Sequence, residues 1–78
     1  MKNITIYTID NCGYCEAAKA LAKRHNLNVH EVNITKDNEA RHELLKRTNH
    51  RTMPQIFIED KFIGGYTELK AHLEKGRS

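Results

Sequence analysis

The stretch "ITIYTIDNCGYCEAAKALAKRH", Ile4 to His25, decides how the chain is read. Ile4 and Ile6 alternate with Thr5 and Tyr7, so Asn3 to Thr8 predicts a strand with one face toward a core. From Gly13 to His25 the period changes. Ala17, Ala18, Leu21 and Ala22 recur at helical spacing, with Lys19, Lys23 and Arg24 off the stripe. Between strand and helix lie Cys12 and Cys15. A cysteine pair at such a turn can hold a metal, staple a fold or exchange electrons.

The spacing makes the two thiols unlike. Cys12 falls at the start of the helix, where unpaired N–H groups and the positive end of the dipole stabilise a thiolate. Cys15 is one turn on, in line with Ala18 and Ala22, and is expected to face inward. An exposed nucleophile with a sheltered partner in reach is what thiol–disulfide exchange uses. A zinc site would recruit His25 and His30 in the pattern C-x2-C-x9-H-x4-H. A finger wants about twelve residues in the middle. The intervening helix would also carry His25 roughly 15 Å from the cysteines, at about 1.5 Å per residue. An inert structural pair stays open as a further alternative.

With 78 residues the chain predicts one domain, spanning 1–78. Its composition, 38% hydrophobic and 29% charged, allows a thin core. The N-terminal residues lack the apolar run of a leader, and no apolar run is long enough to span a membrane. The expectation is a cytoplasmic protein, where C-x-x-C reads as redox-active or metal-binding and not as a stable disulfide. A net charge of +3 and a pI of about 9.0 come from thirteen scattered Lys and Arg. That distribution reads as a solvated basic surface with no nucleic-acid patch, and it suits a small anionic substrate.

Further along, Val29 to Ile34 predicts a second strand, with Val32 and Ile34 in phase. Asp37 or Asn38 can cap a helix over Glu39 to Thr48 that turns Ala40, Leu44 and Leu45 inward. "TNHRTMP" is a loop, "QIFI" a strand buried on both faces, "EDK" a turn and "FIGG" a fourth strand. Thr67 can cap a last helix, with Leu69 and Leu73 inward and Gly76 ending it. The order β-α-β-α-β-β-α gives an α/β fold: a four-stranded mixed sheet flanked by three helices, its closing pair an antiparallel hairpin.

Three motifs in this order, "CGYC", "RTMPQIFI" and "IGGYTEL", are similar to the C-P-Y-C, T-V-P-Q-I-F-I and G-G-[FY]-T-[DE] of the glutaredoxins. The chain resembles that family, within the thioredoxin superfamily, over nearly its whole length. The resemblance implies a thioredoxin-like fold. It also implies reduction of protein disulfides and glutathione mixed disulfides with electrons from glutathione, by a monomer. Cys12 matches the family's nucleophile and Cys15 its resolving thiol. Thr52, Met53 and Pro54 match a segment whose proline is cis and lies beside the active site. Gly65, Tyr66, Thr67 and Glu68 match the segment that holds the γ-glutamyl end. Arg41 and Arg51 fall where the family places polar or basic residues that meet the glycyl carboxylate; their alternative reading is as solvated basic residues. Tyr14 matches the ring beside the nucleophile; its alternative reading is as a surface aromatic.

Two positions depart from the pattern. Ile9 stands where the family usually has Lys or Arg, three residues before the nucleophile. Gly13 stands where it has Pro, which loosens the helix start. Relatives with a small residue there include carriers of a [2Fe–2S] cluster, so a glutathione-ligated cluster held through Cys12 is one alternative. A redoxin reduced by a flavoprotein thioredoxin reductase is the other.

Overall fold

The computed structural model describes residues 2–75. Seven elements follow one another: β1 Asn3–Thr8, α1 Gly13–Arg24, β2 Asn28–Asn33, α2 Asn38–Thr48, β3 Gln55–Ile58, β4 Lys61–Gly64 and α3 Tyr66–Lys75. The order is the one the sequence predicts. The strands form one sheet in the order β2-β1-β3-β4. β1 runs parallel to β2, with Ile4 opposite Val29, and antiparallel to β3, with Ile6 opposite Ile56. β3 and β4 close the sheet as an antiparallel hairpin.

Side-chain alternation divides the core in two. Ile4, Ile6, Ile56 and Ile58 face Ala18, Ala22 and Leu69 of α1 and α3. Phe57 faces the other way, with Leu44 of α2 and Ile34. The central strand β3 is therefore buried at all four residues, as expected of an apolar run covered on both sides. Gln55 is the polar member of that strand. Its carbonyl accepts from the Thr48 hydroxyl at 2.9 Å, and its amide donates to the His50 carbonyl.

Several boundaries differ from the sequence reading. β2 is an edge strand that begins at Asn28 and ends at Asn33. Val32 is therefore 40% exposed, and Ile34 is buried just beyond the strand. Asp37 is the cap of α2, its carboxylate accepting from Ala40 N–H at 3.0 Å. α1 stops at Arg24, with His25 as its C-cap. The hairpin turns on Glu59 and Asp60, with φ of 48° and 69°, the left-handed pair that two-residue hairpins require. Lys61 already belongs to β4.

The start of α3 is the largest correction. The helix begins at Tyr66, so Thr67 lies inside its first turn and does not cap it. Gly65 holds the cap position. Its C=O accepts from Leu69 N–H at 2.9 Å, and its N–H donates to Glu68 Oε1 at 2.7 Å. Glu68 thus supplies half of a capping box from the third helical position. The expected stop at Gly76 lies outside the described residues.

Candidate active site

β1 ends at Thr8, and the chain reaches α1 through Ile9, Asp10 and Asn11. Asn11 takes a left-handed φ of 58°, which Asn tolerates better than most residues. Cys12 follows as the N-cap of α1, in an extended conformation. Its Sγ accepts from Cys15 N–H at 3.2 Å, the contact a Ser or Asp cap would make. A thiolate here meets an orphan N–H and the positive helix end, an arrangement worth about 0.3–1 kcal/mol at the surface and up to about 2 kcal/mol when partly buried.

The two thiols are free and differ as the spacing predicts. Cys12 is partly exposed, whereas Cys15 is 1% exposed. Burial pushes the Cys15 thiol up to about 12 from its ordinary 9.0, and its hydrogen bond with Cys12 adds to the rise. At neutral pH, Cys15 is a thiol. Ile9 packs with Ile34, Leu44 and Phe57. That position extends the core on the α2 side and places no cation beside Cys12.

Met53 joins Cys12 to a groove. The Met53–Pro54 bond is cis, and the Met53 carbonyl lies 3.8 Å from Cys12 Sγ, accepting from the thiol. The groove, about 270 Å³, is lined by Tyr14, Thr52, Met53, Pro54, Gly65, Tyr66, Thr67 and Glu68. Tyr14 is 67% exposed and lies against Tyr66 with ring centroids 5.8 Å apart. These two rings form a rim on one side. Tyr66 and Thr67 also open α3, and the first-turn N–H groups of that helix have no carbonyl partner within it.

Arg41 and Arg51 line a neighbouring cleft of about 350 Å³ with Asn38, His42, Leu45 and Gln55. The two cavities share Met53 and His50. The sequence reading did not single out His50. Its Nε2 lies 3.2 Å from Thr52 Oγ1, and its ring packs edge-on against Phe62 at 5.7 Å. Only the packing of the 49–53 loop against β4 puts this imidazole between the cavities, so a lone His in a loop carried no signal.

Gly64 and Gly65 bring the backbone close to this site. Gly64 has a φ of 127°, and a Cβ there would stand 2.7 Å from Glu68 Cγ. A Cβ on Gly65 would come within 3.3 Å of Glu68 Oε1 and 3.6 Å of the Pro54 carbonyl. The β4–α3 junction can therefore hold Glu68 folded back against the groove floor.

Among the described residues, no three His, Cys, Asp or Glu side chains converge on a possible metal position. A twelve-residue α1 separates its ends by about 18 Å, which keeps His25 from Cys12. A [2Fe–2S] cluster takes four thiolates. With Cys15 buried, one copy of this chain offers Cys12 alone, so a cluster would need a second copy and two outside thiols. Gly13 has open space where a side chain would project.

A glutaredoxin family model matches residues 4–63. Glutaredoxin 3 of Escherichia coli is 41% identical over 71 residues, which cover 91% of this chain and 86% of that protein. Glutaredoxin 1 from Francisella tularensis, solved in complex with cacodylate, superposes with a TM-score of 0.81 at 34% identity, covering 96% and 95% of the two chains. A buckwheat glutaredoxin–glutathione complex superposes with a TM-score of 0.86 over 97% of this chain and 72% of that one. At 24% identity that likeness speaks for the fold alone.

Proposed function

Because the chain belongs to the glutaredoxin family and is a thiol–disulfide oxidoreductase, we propose that glutathione supplies its electrons. The observation that carries this reading is the groove leading away from Cys12. Glutathione is a thiol tripeptide with two carboxylates and one ammonium. With its sulfur at Cys12, one carboxylate can take the free N–H groups of Tyr66 and Thr67 at the start of α3. Its ammonium can meet Glu68, and its second carboxylate can meet Arg41 and Arg51 in the adjoining cleft. The peptide unit between them passes Thr52 and Met53.

The chemistry then runs in two exchanges. The Cys12 thiolate attacks the glutathione sulfur of a glutathionylated protein. The S–S bond breaks, the protein sulfur leaves as a thiolate, and Cys12 carries a mixed disulfide. A second glutathione thiolate attacks the glutathione sulfur, releasing glutathione disulfide and restoring Cys12. Alternatively, Cys15 loses its proton and attacks the Cys12 sulfur, forming a Cys12–Cys15 disulfide and releasing glutathione as a thiolate; two further glutathiones then reduce that disulfide and leave as glutathione disulfide. The burial of Cys15, the main cause of its raised value and unchanged by what Cys12 carries, holds it as a thiol and favours the first route. The protein works on protein disulfides and mixed disulfides as a monomer, in a reducing compartment such as the cytoplasm.

The test is an NADPH-coupled assay on a glutathionylated peptide. Glutathione with glutathione reductase should sustain turnover, and thioredoxin reductase in their place should not. Turnover with thioredoxin reductase alone would overturn the glutathione assignment while leaving the oxidoreductase activity intact.

A further inference from the structure

Three hydrogen bonds tie the loop that carries the nucleophile to the loop after β2. Asp10 N–H donates to Thr35 Oγ1 at 2.7 Å. Asp10 Oδ1 accepts from Asn33 Nδ2 at 2.9 Å. Asn33 Oδ1 accepts from Thr35 N–H at 3.0 Å, which closes a ring of three residues. Just beside it, Ile34 N–H donates to the Thr8 carbonyl at 2.9 Å. The ring therefore extends the pairing of β1 with β2 past its last register pair, Thr8 with Asn33.

Asp10 is the last residue held in this way before the chain turns. Asn11 takes its left-handed conformation next, and Cys12 follows at the cap. Asp10 and Asn33 are exposed, and Thr35 is half-buried. Exposed hydrogen bonds such as these add little to global stability. What these three fix is the point and direction from which Asn11 and Cys12 leave the sheet. Cys12 Sγ must stay near 3.2 Å from Cys15 N–H, because such a bond weakens steeply with distance and angle.

We propose that Asp10, Asn33 and Thr35 form a tether that places Cys12 at the N-cap of α1, and that they are positioning residues for its thiol chemistry. The proposal rests on Cys12 being the nucleophile. The tether uses the Asp10 carboxylate only as a hydrogen-bond acceptor, so the Asp10 charge is dispensable. A separate account is that Asp10 acts by charge, its carboxylate opposing a thiolate two residues away. The two accounts give opposite results in Asp10→Asn, which keeps an acceptor oxygen and loses the charge.

The experiment is alkylation of Cys12 by iodoacetamide in the reduced full chain, followed by mass spectrometry from pH 5 to pH 9. Melting curves by circular dichroism show that each variant is folded. Asn33→Ala and Thr35→Val should each slow Cys12 alkylation at pH 7 by roughly fivefold, the equivalent of one hydrogen bond. The pH of half-maximal rate should move upward in both. Asp10→Asn should stay within about twofold of wild type, and Thr35→Ser, which keeps the hydroxyl, should restore the wild-type profile. If Asn33→Ala destabilises the fold, the Thr35→Val and Thr35→Ser pair decides the matter. Wild-type rates and profiles in folded Asn33→Ala and Thr35→Val would overturn the tether. Faster alkylation in Asp10→Asn, with Thr35→Val unchanged, would replace it with the charge account. In wild type, a Cys12 no more reactive than Cys15 would overturn the nucleophile assignment itself.

Discussion

Replacing Cys15 with Ala should change how stability responds to alkaline pH. In the folded chain Cys15 is pushed up to about 12 by burial, against 9.0 ordinarily. A group whose value is raised by folding stabilises the fold fully below its unfolded value, here 9.0. That contribution is lost as pH rises toward 12, because the unfolded thiol ionises and the folded one does not. One such proton gives a limiting slope of about 1.4 kcal/mol per pH unit. Between pH 7 and pH 10.5 the wild-type chain should therefore lose about 2 kcal/mol more than Cys15→Ala. With a urea slope of about 1 kcal/mol per M for a chain this short, the two midpoints should converge by about 2 M. Urea unfolding of both proteins, reduced throughout, reads this directly. Every other ionisable group is common to both proteins, so the difference isolates Cys15. Parallel loss of stability in the two proteins would refute the burial argument, and with it the reason for favouring glutathione over Cys15 as the resolving thiol.

Other consequences follow from the packing around the groove and under α1. Gly64→Ala forces a side chain into a φ of 127° and against Glu68, and should cost roughly 2–4 kcal/mol in urea unfolding; a change below about 0.5 kcal/mol would contradict the close approach. The Thr8 hydroxyl donates to Glu31 Oε2 at 2.7 Å, and with Lys19 it holds Glu31 below its ordinary 4.5. That contribution is present above pH 4.5 and lost as pH falls below it. Thr8→Val should cost about 1 kcal/mol at pH 7, allowing for solvent screening of Glu31. The gap to wild type should narrow in acid unfolding curves below pH 4. Removing His50 frees the Thr52 hydroxyl from its partner, so His50→Ala should raise KM for a glutathione mixed disulfide a few-fold with kcat nearly unchanged; an unchanged KM would show that the imidazole does not shape the groove.

The parts of the fold that the sequence made legible are those in which local pattern and burial agree. "QIFI" reads as a doubly covered strand because every residue is apolar or can be satisfied, and Gln55 is satisfied by Thr48 and His50. Cys12 and Cys15 read as unlike thiols because one helical turn is enough to separate an exposed cap from a buried face. The misses arise where distant side chains decide. Thr67 looks like a cap from sequence alone, but Glu68 folds back to the N–H of Gly65 and moves the helix start to Tyr66. Val32 keeps strand periodicity yet lies exposed, because β2 is an edge strand. Ile9 looks like a lost cation, and its neighbours make it part of the core. His50 and the ring of Asp10, Asn33 and Thr35 depend on loops meeting in space, which no single stretch encodes.

The central claim is that Cys12 attacks and that glutathione, more than Cys15, completes the cycle. Its most direct measurement is steady-state turnover of a glutathionylated peptide by Cys12→Ser and Cys15→Ser, with glutathione and glutathione reductase in excess. Cys12→Ser should be inactive. Cys15→Ser should keep a substantial fraction of wild-type turnover, because solution glutathione ionises far more readily than the buried thiol. Equal loss of activity in the two variants would contradict the assignment of roles.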